Sequence, residues 1–265
     1  MKLFSIFDFL TNNMMLKFAG IIPARFGSTR FPGKPLIMIQ GKTMIQRVYQ
    51  QAAKILEYVC VATDDTRIED EVHRFGGNVI MTATSHQSGT DRCAEAIKIF
   101  QKQNQCIFDV VLNIQGDEPF IQPAQLELLM SCFNNPQTQI ATLVMPIPLT
   151  MDIFNPNYVK VAFDKNYKAL YFSRSPIPYI RNKDSSSWTQ HHTYYKHLGI
   201  YAYKTEVLKT ITHLPQSSLE LAESLEQLRW LENGYNIMVE ITDLENISVD
   251  SPEDLDKINL LNFTD

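Results

Sequence analysis

Short runs of apolar and β-branched residues alternate with stretches of helical spacing through the first half of the chain. This alternation predicts a mostly parallel sheet with helices on both faces, and ligands that bind outside the carboxyl ends of the strands. The predicted strands are 17–22, 58–63, 79–81 and 108–114, and the predicted helices between them are 43–56, 66–75 and 90–102, with Thr43, Thr66 and Thr90 as candidate N-caps.

The pattern changes after Ile121, where shorter elements and a polar stretch replace the regular alternation. We therefore expect one domain over 17–265 with a small inserted subdomain around 150–205, and a disordered or wrongly assigned extension over 1–16. The remaining predictions are helices at 122–133, 219–232 and 252–261, strands at 140–146, 159–163, 169–172, 198–203 and 237–241, and a mobile loop at 181–190.

Charge and cysteine usage exclude several classes of protein. The formal net charge of the 265 residues is -5, whereas nucleic acids and anionic membranes are bound through a basic excess. No segment predicts a membrane span, because the apolar opening of the chain is too short. The four cysteines form no C-x-x-C pair, which favours free thiols in the cytoplasm.

A basic, glycine-containing segment over 21–35 follows the first predicted strand. Arg25, Arg30 and Lys34 would offset the charge of a triphosphate, while Gly27 and Gly33 would allow its close approach to the backbone. The segment is not a Walker A loop, because five residues separate the two glycines and Pro35 stands where a Ser or Thr would bind magnesium. A solvated basic turn is the less favoured interpretation.

Two acidic segments also follow predicted strands. In 113–119 an apolar strand ends in Gln115, Gly116 and Asp117, and a carboxylate there suits Mg²⁺, which takes one or two protein carboxylates beside substrate phosphates. The second segment, 249–254, contains Asp250, which from this fragment alone is better explained as a helix cap than as a catalytic residue.

The segments above, together with 86–92, resemble the CMP-Kdo synthetases, which are 3-deoxy-manno-octulosonate cytidylyltransferases. Similar segments run in order from about Lys17 almost to the C-terminus and include 154–156, 169–174, 197–201 and 225–229. The resemblance implies a Rossmann-like nucleotidyltransferase fold and a homodimer. It also implies transfer of CMP from CTP to the anomeric hydroxyl of 3-deoxy-D-manno-octulosonate (Kdo), with release of pyrophosphate, for lipopolysaccharide biosynthesis.

The same resemblance implies a role for individual residues. Those on the catalytic side would be Lys34, Arg25, Asp117 and Asp250, of which Asp117 and Asp250 would bind Mg²⁺. Nucleotide-binding residues would be Ala24, Arg25, Thr29, Arg30, Lys34, Ser88, Gly89 and Gln115. Sugar-binding residues would be Gln115, Arg174, His197, Glu220 and Gln227, with Arg174 facing the sugar carboxylate.

Other interpretations of these residues stay open on the sequence alone. Arg174 would also be explained as a surface cation, and His197 as a structural histidine with satisfied hydrogen bonds. Asp64 and Asp65 fit a turn and a helix cap better than a second metal site. Ala83 stands where the family has an arginine near the nucleotide. Alternative functions are activation of another acidic sugar, such as a sialic acid or amino-Kdo, and a catalytically silent nucleotide sensor.

Overall fold

The computed structural model describes residues 16–27, 31–245, 249 and 254. Its strands are β1 (Phe18–Ala24), β2 (Met38–Ile39), β3 (Lys42–Thr43), β4 (Val59–Thr63), β5 (Val79–Met81), β6 (Val110–Asn113), β7 (Ile140–Pro146), β8 (Lys160–Phe163), β9 (Ala169–Ser173), β10 (Tyr195–Lys204) and β11 (Ile237–Ile241). Its α-helices are α1 (Met44–Ala53), α2 (Thr66–Arg74), α3 (Gly89–Asn104), α4 (Pro123–Ser131), α5 (Trp188–His191), α6 (Thr205–Ile211), α7 (Ser218–Glu223) and α8 (Gln227–Glu232).

The central sheet contains parallel and antiparallel strand pairs. Those of its strands that come from the first half of the chain are parallel to one another, as the alternating pattern predicts. Its order is β11-β7-β10-β6-β1-β4-β5, in which β6, β1, β4 and β5 run parallel and β10 is antiparallel to both of its neighbours. The hairpin of β8 and β9 joins this sheet through β10. The boundaries of the inserted subdomain around 150–205 stay a prediction.

Helices cover both faces of the sheet, which explains why its central strands are apolar at almost every position. Side chains of α1, α2 and α4 pack on one face. On the other face lie α3, α6 and α8. All five residues of β4 and all four of β6 are buried, so neither strand shows the alternation of a half-solvated strand.

The helix boundaries correct two of the three predicted N-caps. Thr43 caps α1 by accepting a hydrogen bond from the Gln46 amide. The prediction was wrong for Thr66 and Thr90, because Asp65 caps α2 and Ser88 caps α3. In both cases the capping residue lies one or two positions earlier, and the predicted threonine is already helical.

The second half departs from the predictions at several places, one of which is the helix α6, which the sequence did not predict. The predicted helix 219–232 is two helices, because Ser224 adopts a left-handed conformation (φ 53°) that ends α7. The predicted loop 181–190 contains a 3₁₀ turn and most of the short helix α5. The predicted closing helix 252–261, apart from the helical Asp254, and nearly all of the 1–16 extension lie outside the described residues. Within the described part of the chain, every helix is too short or too polar to cross a bilayer.

Candidate active site

A cleft of about 270 Å³ opens at the carboxyl ends of β1 and β6, beside the amino end of α3. This is the edge of the sheet at which the sequence predicted ligand binding. Seven predicted site residues line it: Ala24, Arg25, Lys34, Ser88, Gly89, Gln115 and Asp117. Three others, Thr29, Arg30 and Asp250, lie outside the described residues.

Gly33 closes the basic loop that leads into the cleft. Its amide donates to the Phe26 carbonyl at 2.9 Å, and its positive φ of 73° is a conformation that glycine adopts without strain. The Phe26 ring packs against Gly33 on one side and lies under the Arg67 guanidinium, 3.3 Å from ring centroid to Cζ. The contact of Phe26 with Arg67 of α2 thereby holds the loop in place. Lys34 follows the loop at the start of a 3₁₀ turn.

The absence of a side chain at Gly116 brings the ends of β1 and β6 together. A Cβ at this position would lie 2.9 Å from the Pro23 carbonyl oxygen, so a larger residue would push the two strand ends apart. The close approach places Asp117 beside Lys34, with 2.8 Å between Asp117 Oδ2 and Lys34 Nζ. The Asp117 side chain is 39% exposed and that of Lys34 is 10% exposed, so the carboxylate remains open to the cleft.

The far end of the chain returns to Asp117. The Val249 amide donates to the Asp117 carbonyl at 3.1 Å, and the Val249 side chain is buried against Ile39 and Met44. Asp250 itself lies outside the described residues, but its neighbour in the chain is bonded to Asp117. This contact supports the prediction that residues 117 and 250 serve one site.

The donor set at this place suits a hard divalent cation. Asp117 offers a carboxylate oxygen, and Mg²⁺ commonly takes one or two carboxylates while substrate phosphates and water fill its other positions. No group of three or more His, Cys, Asp or Glu side chains with metal-binding geometry occurs among the described residues. Among the described residues, Asp117 is thus the candidate metal ligand of the cleft, and substrate phosphates and water would fill other positions of the ion.

Arg92 is a cleft residue whose individual role the sequence analysis missed. Its buried guanidinium donates to Asp64 Oδ2 at 2.9 Å and to Thr82 Oγ1 at 2.6 Å, and it thus links α3 to the carboxyl ends of β4 and β5. The signal available in the sequence was an arginine on the inward face of an amphipathic helix. Asp65 is a helix cap as expected, whereas Asp64 is the partner of a buried cation.

Glu226 is a second residue that the sequence analysis did not select. Its Oε2 accepts a hydrogen bond from Thr90 Oγ1 at 2.7 Å, which ties the segment before α8 to the amino end of α3. Burial raises the pKa of Glu226, although the Thr90 hydrogen bond and the Arg229 charge oppose this shift. The two partners are 136 positions apart, so no local sequence pattern predicts this contact.

The structure brings one of the five predicted sugar-side residues into the cleft lining. Of the five, Gln115 lines the cleft, and its Nε2 donates to the Gly199 carbonyl at 3.1 Å. The other four are described residues that do not contribute to its lining. Glu220 forms an ion pair with Arg229, 2.8 Å from Oε2 to Nε, and also belongs to the capping box of α7. Gln227 is buried in the first turn of α8.

His197 has the satisfied environment that the structural interpretation predicted. Its Nε2 accepts a hydrogen bond from the Gly199 amide at 3.3 Å and lies 3.0 Å from Thr142 Oγ1. The ring packs on Phe172 and Tyr201. Desolvation lowers the pKa of His197 from 6.5 to about 3, so the imidazole is neutral at neutral pH.

This pKa predicts an acid-dependent loss of stability. The folded protein keeps His197 neutral, whereas the unfolded chain binds a proton at this residue below pH 6.5. The stability that the neutral imidazole contributes is therefore complete above pH 6.5 and is lost as the pH falls towards 3. Between pH 7.5 and pH 4.5 we expect the free energy of unfolding to fall by about 2 kcal/mol more in wild type than in His197→Asn. Urea unfolding at both pH values measures this, with the exposed His213→Asn as control. An equal loss in wild type and His197→Asn would contradict the assignment.

A cation-bearing loop and a carboxylate that meet outside the carboxyl ends of parallel strands suit a nucleotide phosphate with its cation, and comparisons with known proteins identify the class as a nucleotidyltransferase. A family model described as "Cytidylyltransferase" matches residues 19–241. The 3-deoxy-manno-octulosonate cytidylyltransferase of Parabacteroides distasonis is 60% identical over 92% of this chain and 97% of its own length. That of Bacteroides thetaiotaomicron is 62% identical over 91% of this chain and 96% of its own length.

A solved structure agrees with these relatives. CMP:2-keto-3-deoxy-manno-octonic acid synthetase complexed with CTP superposes with a TM-score of 0.83 and 43% identity, and the match covers 92% of this chain and 97% of the other. The chain belongs to the 3-deoxy-manno-octulosonate cytidylyltransferase family. The resemblance and the fold class inferred from the sequence are therefore confirmed.

Proposed function

We propose that this enzyme transfers CMP from CTP to the anomeric hydroxyl of Kdo and releases pyrophosphate, as a step of lipopolysaccharide biosynthesis. The observation that carries the proposal is the meeting of Lys34 and Asp117 at 2.8 Å in the cleft. The Lys34 ammonium suits a phosphate, and the Asp117 carboxylate suits a cation that is bound to a phosphate. The names of the relatives, and the CTP in the solved structure, support the choice of substrates.

In the proposed reaction the Kdo hydroxyl attacks the α-phosphorus of CTP and pyrophosphate leaves, with no covalent intermediate on the protein. Arg25 and Lys34 bind the phosphates and stabilise the charge that develops on the transferring and leaving groups. Thr29 and Arg30 are proposed to complete this phosphate contact. Asp117 and Asp250 are the proposed ligands of Mg²⁺, which supplies Lewis-acid stabilisation of the phosphate oxygens when bound.

The proposed nucleotide and sugar sites meet at Gln115. Ala24, Ser88 and Gly89 line the cleft beside the loop and are proposed to contact the nucleotide. Gln115 bridges the end of β6 to the β10 backbone and is proposed to lie between nucleotide and sugar. Of the other sugar-side residues, Arg174 suits the Kdo carboxylate, and His197, Glu220 and Gln227 are proposed to shape that side of the site.

Location and assembly are further proposals. We propose a cytoplasmic enzyme, supported by the four free thiols, of which Cys60 and Cys93 are buried. We propose a homodimer on the basis of the family resemblance. Neither proposal involves a nucleic acid or a membrane as a partner, in keeping with the net charge of -5.

Pyrophosphate release by the purified full-length chain tests the function. With CTP, Mg²⁺ and Kdo we expect turnover that falls by at least about tenfold when ATP, GTP or UTP replaces CTP. A preference for a sialic acid or an amino-Kdo over Kdo would favour the alternative acidic sugar. Binding of CTP without turnover on any of these sugars would favour the silent nucleotide sensor and overturn the proposed function.

A further inference from the structure

Lys160 is a charged residue in the interior of the protein. It lies at the start of β8 with none of its surface exposed, an environment that is costly for an amine without hydrogen-bond partners. Its Nζ donates to the backbone carbonyl of Arg174 and, at 3.1 Å, to that of Asn155. Burial lowers the pKa of Lys160, while the nearby carboxylates of Asp152 and Glu223 oppose this shift.

The backbone of Arg174 is held on its other side by a carboxylate. The Arg174 amide donates to Glu223 Oε2 at 2.9 Å, and the preceding Ser173 hydroxyl donates to Oε1 of the same carboxylate at 2.6 Å. A cationic donor therefore binds the carbonyl of Arg174 and an anionic acceptor binds its amide. Charge-assisted hydrogen bonds are stronger than neutral ones, so this residue is fixed more firmly than ordinary strand pairing would fix it.

The guanidinium of Arg174 is also oriented by backbone carbonyls. Nε donates to Glu223 O at 2.7 Å, Nη1 to Pro156 O at 2.9 Å and Nη2 to Ser224 O at 3.3 Å. A guanidinium has five N–H donors, so one remains on each terminal nitrogen. Two such donors match the two oxygens of a carboxylate. Arg174 is thus a cation held in one orientation rather than a freely moving surface side chain.

We propose that Lys160 is a positioning residue that acts through Arg174 and sets the affinity for the carboxylate of the acceptor sugar. This inference rests on the proposed function, in which Arg174 binds that carboxylate. Lys160 joins two segments of the family resemblance, 154–156 and 169–174, and the bond from Arg174 Nη1 to the Pro156 carbonyl joins the same two segments a second time. An apolar residue at position 160 would leave two carbonyls without their donor and release the Arg174 backbone.

A double-mutant cycle on the full-length enzyme tests the inference. Lys160→Met keeps the length of the side chain and removes the amine, and we expect it to raise the KM for Kdo by about 10- to 100-fold through misplacement of Arg174. The KM for CTP should change less than about twofold. In an Arg174→Gln background, Lys160→Met should raise the KM for Kdo by less than about threefold, because the group through which it acts is already lost.

Two further variants keep the test decisive. Lys165→Met, in the exposed turn of the same hairpin, is the matched control and should leave both KM values unchanged. If Lys160→Met does not fold, Glu223→Ala releases the Arg174 amide instead and should give the same non-additive rise in the KM for Kdo. An effect of Lys160→Met or Glu223→Ala that is fully additive with Arg174→Gln, or that falls equally on CTP, would overturn the positioning role. If wild type releases no pyrophosphate with Kdo, it is the proposed function that fails.

Discussion

Replacing Asp117 with Asn is expected to lower Mg²⁺-dependent pyrophosphate release by about a thousandfold while leaving the fold intact. Asn preserves the size of the side chain but removes the negative charge that a hard dication prefers, and the stabilisation supplied by a bound metal amounts to several kcal/mol. The side chain is 39% exposed and ends in the cleft, so its charge contributes little to the core. The remaining activity should require more Mg²⁺ than wild type.

The same substitution at Asp250 separates two interpretations of that residue. If Asp250 shares the metal with Asp117, Asp250→Asn should cause a comparable loss, and the double variant should lose little more than either single variant. If Asp250 only caps a helix, Asn is an equally good cap, and neither stability nor turnover should change. The bond between the Val249 amide and the Asp117 carbonyl favours the shared site.

Steady-state rates over a Mg²⁺ titration, with thermal unfolding of the same samples, measure these outcomes. Asp70→Asn is the matched control, because Asp70 is exposed on α2 away from the cleft. An Asp250→Asn enzyme with wild-type turnover and an unchanged Mg²⁺ requirement would contradict the shared site. A loss of cooperative unfolding in Asp117→Asn would instead assign that residue a structural role.

Replacing Lys34 with Ala is expected to lower kcat by about 100- to 1,000-fold, the usual effect of removing one preorganised donor from a developing charge. The 3₁₀ turn after Gly33 and the Asp117 carboxylate hold the ammonium group at the cleft before any substrate binds. The melting temperature should fall by no more than about 4 °C, because the ion pair is partly exposed on the side of Asp117.

Lys98→Ala is the control for this variant, since Lys98 is exposed on α3 and does not line the cleft. A Lys34→Ala enzyme with wild-type kcat would remove Lys34 from the reaction. A rise in the KM for CTP at unchanged kcat would make it a ground-state phosphate ligand rather than a group that stabilises the transition state.

The parts of the fold that were predictable from sequence are those set by local patterns. Strands buried on both faces are apolar at nearly every position, as in β4 and β6. In the helices between them, apolar residues recur every three to four positions. N-caps are harder to predict because several polar residues near a helix start compete for one role. Asp65 precedes Thr66, and Ser88 precedes Thr90 by two positions.

The cleft was predictable to the extent that its residues follow strands. Lys34, Asp117 and Ser88 belong to short segments with a recognisable composition, and a parallel sheet brings such segments to one edge. Arg92 and Glu226 have partners that are distant in sequence, so local patterns do not predict which groups they contact. The hydrogen bonds that hold Lys160 and Arg174 likewise come from residues between 155 and 224, so only the structure shows how these groups are arranged.

The hydrogen bond from Val249 to Asp117 has a consequence for the order in which the enzyme becomes active during synthesis. The basic loop, β6 and Asp117 all leave the ribosome well before residue 249, and β1 pairs directly with β4 and β6. A nascent chain can therefore form the phosphate-binding half of the cleft while the second proposed metal ligand has yet to be translated. Catalytic competence would then appear only once translation is nearly complete, so incomplete chains would bind nucleotide without consuming it.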